Sequence, residues 1–303
     1  MFYPKSVTMV RSFRFFLSFF FLTFFLFAQK DTKTTKYLIL HADDLGLSHS
    51  VNKATFQALE NKSISSASLM VPCPWFLEAA ETIKEKPDLD IGIHLTLTAE
   101  WKDYKWGGVS PSNEITSLLD KNGYFYPTVK EVVQHAKPAE VEKELKAQIE
   151  KAMALGVKPT HLDSHMGTLF ATPELFMIYI KLGQEYHLPV FLPRDAAKAK
   201  PELMSLLDKD QILIDHYDMM EKNRETKDWI LFYEGVIKEL KPGLNQIIIH
   251  LAFDNDEMKA VCKSHDDFGS AWRQNDLNTV QSKAFKKILK DNKIKLIGWK
   301  DMK

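Results

Sequence analysis

Two adjacent carboxylates, Asp43 and Asp44, follow directly on the apolar run Tyr37–Ala42. Neighbouring carboxylates repel each other unless a cation or a shared proton relieves them, so a positive charge is expected beside this pair. Taken alone, Asp43-Asp44-Leu45-Gly46 serves equally well as a solvated turn that caps a helix opening at His49-Ser50. Two further runs change the balance. In Gly92–Thr98, alternation puts Ile93, Leu95 and Leu97 on one face and His94, Thr96 and Thr98 on the other. In Pro159–His165 the same two-residue period gives His161, Asp163 and His165 a shared face. Either run in isolation suits a hydrogen-bonded core histidine or a capped strand end. Together, one carboxylate and two imidazoles at the ends of three different strands make a three-ligand site with open positions, the form of a catalytic zinc site. A metal there lowers the pKa of a bound water from about 15.7 towards about 7 and polarises a carbonyl under attack. Asp44 then serves as a ligand and Asp43 as general base. Adjacent residues of an extended strand point opposite ways, so a turn has to bring both carboxylates to the site.

These residues need a frame, and the remaining sequence supplies one. Eight short apolar runs read as strands: Tyr37–Ala42, Ser66–Val71, Asp90–Leu95, Pro159–Leu162, Pro189–Leu192, Gln211–Ile214, Gln246–His250 and Lys295–Trp299. Stretches of helical period lie between them. In Pro138–Leu155, Val141, Leu145, Ile149, Ala152 and Met153 form an apolar stripe, with Pro138 in the first turn and Gly156 at the stop. Alternating strands and helices predict parallel β/α units, in which functional groups gather at the ends of strands. The first, third, fourth and seventh runs carry their Asp and His residues in that way, which predicts an α/β fold of the distorted or incomplete (β/α) barrel type with seven to eight parallel strands.

Composition limits the partners. Forty Lys and Arg balance forty Asp and Glu across 303 residues, so there is no basic excess for nucleic acid. Ten of the twenty Phe fall within Met1–Ala28, where Lys5, Arg11 and Arg14 stand before or at the start of an apolar run from Phe15 to Ala28. This has the form of a secretory signal peptide and is short of the roughly 20 residues that span a bilayer. The expected organisation is a signal peptide at 1–28, a polar linker at 29–36 and one domain at 37–303. The mature chain is expected to be exported to the periplasm or the medium, with no stable membrane insertion once the leader is removed. Cys73 and Cys262 are too few for a disulfide framework, and two buried thiols are expected.

The runs Ala42-Asp43-Asp44-Leu45-Gly46, Gly92-Ile93-His94-Leu95-Thr96-Leu97 and Thr160-His161-Leu162-Asp163-Ser164-His165 together resemble the YdjC-like carbohydrate deacetylases, a family that includes chitooligosaccharide deacetylases. The resemblance runs from about Tyr37 to the C-terminus. It implies a distorted β/α barrel, one divalent metal ion (Zn2+ or Mg2+) and removal of an acetyl group from an amino sugar. By motif it assigns Asp44, His94 and His165 as metal ligands, Asp43 as base and His250 as the acid for the leaving amine. The chain departs from the family pattern at Met166-Gly167-Thr168, where further histidines are usual, and at Leu251-Ala252, where Pro-Gly is common. These departures bear on the sugar used and on the role of His250.

The long connection after the third strand carries Trp101, Tyr104, Trp106, Tyr124, Phe125 and Tyr126, which reads either as a platform for sugar rings or as the fastening of a long loop. Trp75, Trp101, Trp106 and Arg194 are the candidate contacts to an acetylated oligosaccharide, Arg194-Asp195 also reading as a structural ion pair. Two other functions share the same residues. Two His and a carboxylate form the facial triad of non-haem iron oxygenases, and a barrel of this kind without turnover would be a sugar-binding protein.

Overall fold

The computed structural model describes residues 34–198, 207, 211–220, 228–263, 265 and 267–302. The expected signal peptide at 1–28 and most of the expected linker lie outside the described residues. Strand and helix alternate as β1 (Lys36–Leu45), α1 (His49–Glu60), β2 (Ser66–Leu69), α2 (Phe76–Glu85), β3 (Ile91–Leu95), α3 (Val129–His135), α4 (Pro138–Ala154), β4 (Leu162–Ser164), α5 (Pro173–Glu185) and α6 (Arg194–Lys198). They continue as β5 (His216–Met219), α7 (Trp229–Glu239), β6 (Gly243–His250), α8 (Asp256–Val261), α9 (Ser270–Gln281), α10 (Lys283–Asp291) and β7 (Ile294–Leu296). Among the described residues these seven strands form one all-parallel sheet in the order β4-β3-β2-β1-β6-β5, with β7 also paired to β1.

Two single bridges carry the path from β4 round to β5. Leu162 pairs with Val190, and Pro193 with Ile214. The amide of Ile214 donates to Leu192 O at 3.0 Å and that of Asp215 to Leu244 O at 2.8 Å. The result is a distorted barrel, as the sequence predicts, with its fifth and sixth walls reduced. Pro189–Leu192 contributes a bridge rather than a strand, since Pro189 has no N–H to give to a ladder. In the sixth run only Ile214 pairs, and the strand proper is His216–Met219, largely exposed and so without the apolar run that marks a buried strand. The last run shortens to Ile294–Leu296, with Trp299 in a following 3-10 turn.

β1 shows how the barrel is filled. Leu38, Leu40 and Ala42 face the helices and join the main core, whereas Ile39 joins a small interior cluster with Phe191, Ile214 and Trp299. Two residues further on, His41 holds the middle layer, and two beyond that Asp43 reaches the open end. This is the two-residue period of a strand. On the outside, α4 starts on Pro138 as expected and buries Val141, Leu145, Ile149 and Ala152. Met153 instead points to solvent at 47% exposure, one position off the stripe. Both cysteines are buried free thiols, and no helix among the described residues is long and apolar enough to cross a membrane.

Candidate metal centre

β1 ends in a bulge. Its register with β2 shifts between Ala42 and Leu45, and Asp44 adopts φ 68°. A non-glycine residue in the left-handed region is uncommon and tolerated best by Asp and Asn. The bulge supplies the turn that two adjacent carboxylates require, so Asp43 and Asp44 both reach the centre of the barrel mouth. Gly46, at φ 95°, completes the turn; a Cβ there would stand 3.0 Å from Met70 O.

Three donors converge at this point. Asp44 Oδ1 lies 3.5 Å from His94 Nε2 and 3.4 Å from His165 Nδ1, and the two nitrogens are 3.2 Å apart. All three residues are buried. The other polar atom of each is already committed. His94 Nδ1 meets Asp163 Oδ1 at 2.7 Å, His165 Nε2 meets Glu100 Oε2 at 3.1 Å, and Asp44 Oδ2 accepts from Arg273 Nη2 at 2.6 Å. An ionised carboxylate only accepts, so in the neutral rings the N–H of each imidazole is on its outer nitrogen and the inner nitrogens carry lone pairs. Asp44 Oδ1 is buried without a hydrogen-bond partner. Two lone-pair nitrogens and an orphaned carboxylate oxygen facing one another repel unless positive charge lies between them. The residues therefore fit a cation, and the imidazole–carboxylate pairs behind them are the outer contacts that orient histidine ligands. Two other groups have ligand-compatible spacing, His41/His161/Asp163 and Asp43/His94/Asp163. Both draw on Asp163, whose oxygens are taken by His94 and His41.

Without a cation, protons on the rings would answer the same demand. Burial opposes protonation of His94 and His165, yet carboxylates outweigh it, Asp163 and Asp43 holding His94 well above its usual range and Glu100 and Asp44 raising His165 to about 9. Burial likewise works against ionised Asp44, and Arg273 with the two imidazoles nevertheless keeps its carboxyl well below the ordinary value. A pocket that pulls protons onto its histidines is one that demands positive charge.

Asp43 sits at the rim, 14% exposed, with Oδ2 3.7 Å from His94 Nε2 and 3.9 Å from His250 Nε2. His250 is its register partner on β6. Burial pushes His250 down to about 4, against the pull of Asp44, so the ring is neutral at pH 7.

The structure thus brings together Asp43, Asp44, His94, His165 and His250. The expected sugar contacts fare differently. Trp75 is 38% exposed at the start of α2. Trp101 and Trp106 are buried at 2% and 3%, which corrects the platform reading for both, since neither has a free ring face. Trp101 lies beneath the Arg273 guanidinium at 5.8 Å, and Trp106 donates its indole N–H to Thr98 O at 2.9 Å while packing near the His165 ring. These residues fasten the long loop. Arg194 forms the structural ion pair the sequence also allows, but with Asp215 rather than Asp195: its Nε donates to Asp215 Oδ1 at 2.6 Å, and Asp215 Oδ2 takes the Leu244 amide, a tie between two barrel walls.

Sequence reasoning missed Arg273 and Asp276. They lie one turn apart on α9, where Arg273 grips Asp44 and Asp276 Oδ2 accepts the His250 amide at 3.0 Å. Trp229 and Tyr233 also donate to Asp276, and burial raises its carboxyl to about 6. The available signal was Ser270, Arg273, Asp276 and Thr279 at a three-residue spacing, a polar row that the helix buries.

The model of the YdjC-like protein family matches residues 37–291. A carbohydrate deacetylase of Thermus thermophilus is 35% identical over 236 residues, spanning 75% of this chain and 81% of its own. One from Thermoanaerobacter pseudethanolicus is 30% identical over 269 residues, spanning 88% of this chain and 100% of its own. Among solved structures, an Enterococcus faecalis protein named for cellobiose-phosphate cleavage superposes with a TM-score of 0.74 at 24% identity, over 89% of this chain and 99% of that one, a likeness of fold. With the barrel, the strand-end residues and these matches in agreement, the chain belongs to the YdjC-like family.

Proposed function

We propose that this protein is a metal-dependent hydrolase that removes the acetyl group from an N-acetylated carbohydrate. The observation that carries the reading is the convergence of Asp44 Oδ1, His94 Nε2 and His165 Nδ1, with all ligand atoms within 4.8 Å of one another and each outer atom already bonded. Relatives named carbohydrate deacetylase, matched over most of the chain, support the substrate class. Two imidazoles and one carboxylate suit Zn2+ better than Mg2+, which favours oxygen ligands in octahedral array. Such an ion, when bound, supplies Lewis-acid polarisation of the amide carbonyl and acidifies a water.

The chain's own groups handle the protons. Asp43, partly open to the mouth, takes a proton from the attacking water as its oxygen bonds to the acetyl carbon. His250 is neutral at rest and so brings no proton of its own. It receives one from Asp43, 3.9 Å away, and delivers it to the amine nitrogen as the C–N bond breaks, leaving acetate and the free amino sugar. Arg273 keeps Asp44 ionised and turned inward throughout.

Elemental analysis of the purified protein, followed by an acetate-release assay on N-acetylated mono- and oligosaccharides, tests this. Metal-loaded protein that releases no acetate from the panel sinks the reading. Release without oxygen separates it from an iron oxygenase. The leader-like Met1–Ala28 supports export to the periplasm or medium, which cell fractionation and N-terminal sequencing of the mature chain would check.

A further inference from the structure

Two residues before Asp43 on β1, the fully buried His41 has both ring nitrogens engaged in the polar middle layer. Nδ1 stands 3.0 Å from Ser66 Oγ. That hydroxyl gives its one proton to Asp90 Oδ1 at 3.1 Å, and Asp90 acts as an acceptor throughout, taking Thr160 Oγ1 at 2.7 Å and the Lys300 amide at 2.8 Å. Ser66 Oγ is left to accept from the ring, which puts a proton on Nδ1. Nε2 faces Asp163 Oδ2 at 3.0 Å and Asp43 Oδ1 at 3.3 Å, with Ser68 Oγ at 3.1 Å. Carboxylate oxygens accept, so Nε2 carries a proton as well. A neutral imidazole has a single N–H to give; with both nitrogens donating, His41 is an imidazolium. Burial works against that charge, and Asp163 and Asp43 nevertheless raise the ring to about 9.

This charge faces two carboxylates that differ in what else holds them. Asp163 is anchored at its other oxygen by His94 Nδ1 at 2.7 Å. Asp43 has no such anchor: among the described residues its Oδ1 is buried without a hydrogen bond, and the ion pair with His41 is what fixes it. Held by that oxygen, Asp43 presents the other, Oδ2, toward His94 and His250 at the mouth. The ring cannot swing aside, because β2 holds it at both nitrogens and β4 at one. Proton abstraction is sensitive to such placement, and a misplacement of about 1 Å costs on the order of 100-fold in rate. We infer that His41 is a positioning residue, a buried imidazolium that tethers the inward oxygen of Asp43 and so aims the other at the water it deprotonates. The inference rests on the deacetylase reading and adds the residue that aims its base.

The test measures kcat, KM and bound metal for wild type, His41→Gln and His41→Leu on N-acetylated oligosaccharides, together with 15N NMR of the His41 ring in the metal-loaded wild type at pH 7. The ring should carry a proton on both nitrogens. His41→Leu should lower kcat about 100-fold with KM and metal content unchanged. His41→Gln, which keeps an N–H toward the carboxylates but no charge, should lose only about tenfold. A merely structural role would instead reduce the folded, metal-bearing fraction and leave the kcat of that fraction intact, and this result overturns the inference. So does wild-type kcat in either variant, or a His41 ring with one bare nitrogen. Where neither variant folds, the ring nitrogens decide, two protons supporting the inference and one overturning it. A wild type that releases no acetate brings down the deacetylase reading and this role with it, whereas an active wild type whose variants keep its kcat overturns the role of His41 alone.

Discussion

Asp43 and Asp44 are the same residue type in adjacent positions, and their surroundings give them different work. Asp44 has one oxygen locked by Arg273 and the other aimed at two imidazoles, all of it buried, whereas Asp43 keeps contact with the mouth. Asp43→Asn should lower kcat by about 10²–10⁴-fold, the usual loss for a general base, while elemental analysis still finds the metal. Asp44→Ala should lose the metal itself. Arg273→Met leaves a buried carboxylate without its partner, a change that costs about 3–5 kcal/mol and should be visible in urea unfolding. Arg273→Lys should recover only part, because a single ammonium cannot hold both Asp44 Oδ2 and Phe268 O as the planar fork does. The meeting of Asp44, His94 and His165 was legible in the sequence because each stands at the end of an apolar run, and parallel strands deliver their ends to one place. Arg273 was not, because a helix face is defined only by what packs on it. The aromatic loop misled for a related reason: Trp101 and Trp106 have the composition of a sugar platform, but burial decides their role, and burial is not written in a loop of irregular spacing.

At the scale of elements, β1 does most of the organising. Its alternation sends Ile39, His41 and Asp43 into successive interior layers, and its terminal bulge adds Asp44 to the last of them. The middle layer is polar and close-fitted. His41 bonds Ser66 and Asp163, and the His161 ring stacks on Trp299 at 4.8 Å. Gly92 adjoins this layer on the neighbouring strand, where a Cβ would overlap the His161 ring. Gly92→Ala should therefore destabilise the fold by about 1–3 kcal/mol, the cost of overpacking, as measured by chemical denaturation. The strands that sequence located well, β1, β2, β3 and β6, are buried apolar runs. Those it misplaced, at the fifth and sixth walls, pair through single bridges or face solvent, and hydrophobic pattern carries no information about either.

For the molecule as a whole, the cation is expected to act as a staple. Its three ligands come from β1, β3 and the turn after β4, and the Arg273 clamp comes from α9. A ligand that binds only the folded state stabilises it by about 4 kcal/mol at a thousand times its dissociation constant. Stripping the protein with a chelator should thus lower Tm by about 10 °C, and readdition of metal should restore it. Asp44→Ala should show no such response. The long first strand has a consequence for biogenesis. β1 shares one edge with β6 and part of the other with β7, so its partners include residues 243–250 and 294–296. A nascent chain emerging in order can pair β1 with β2 early but must leave its β6 edge unzipped until residues 243–250 have been made, because contacts this distant in sequence form late. The three ligands are all made by residue 165, whereas a chain halted before α9 would leave Asp44 without its guanidinium.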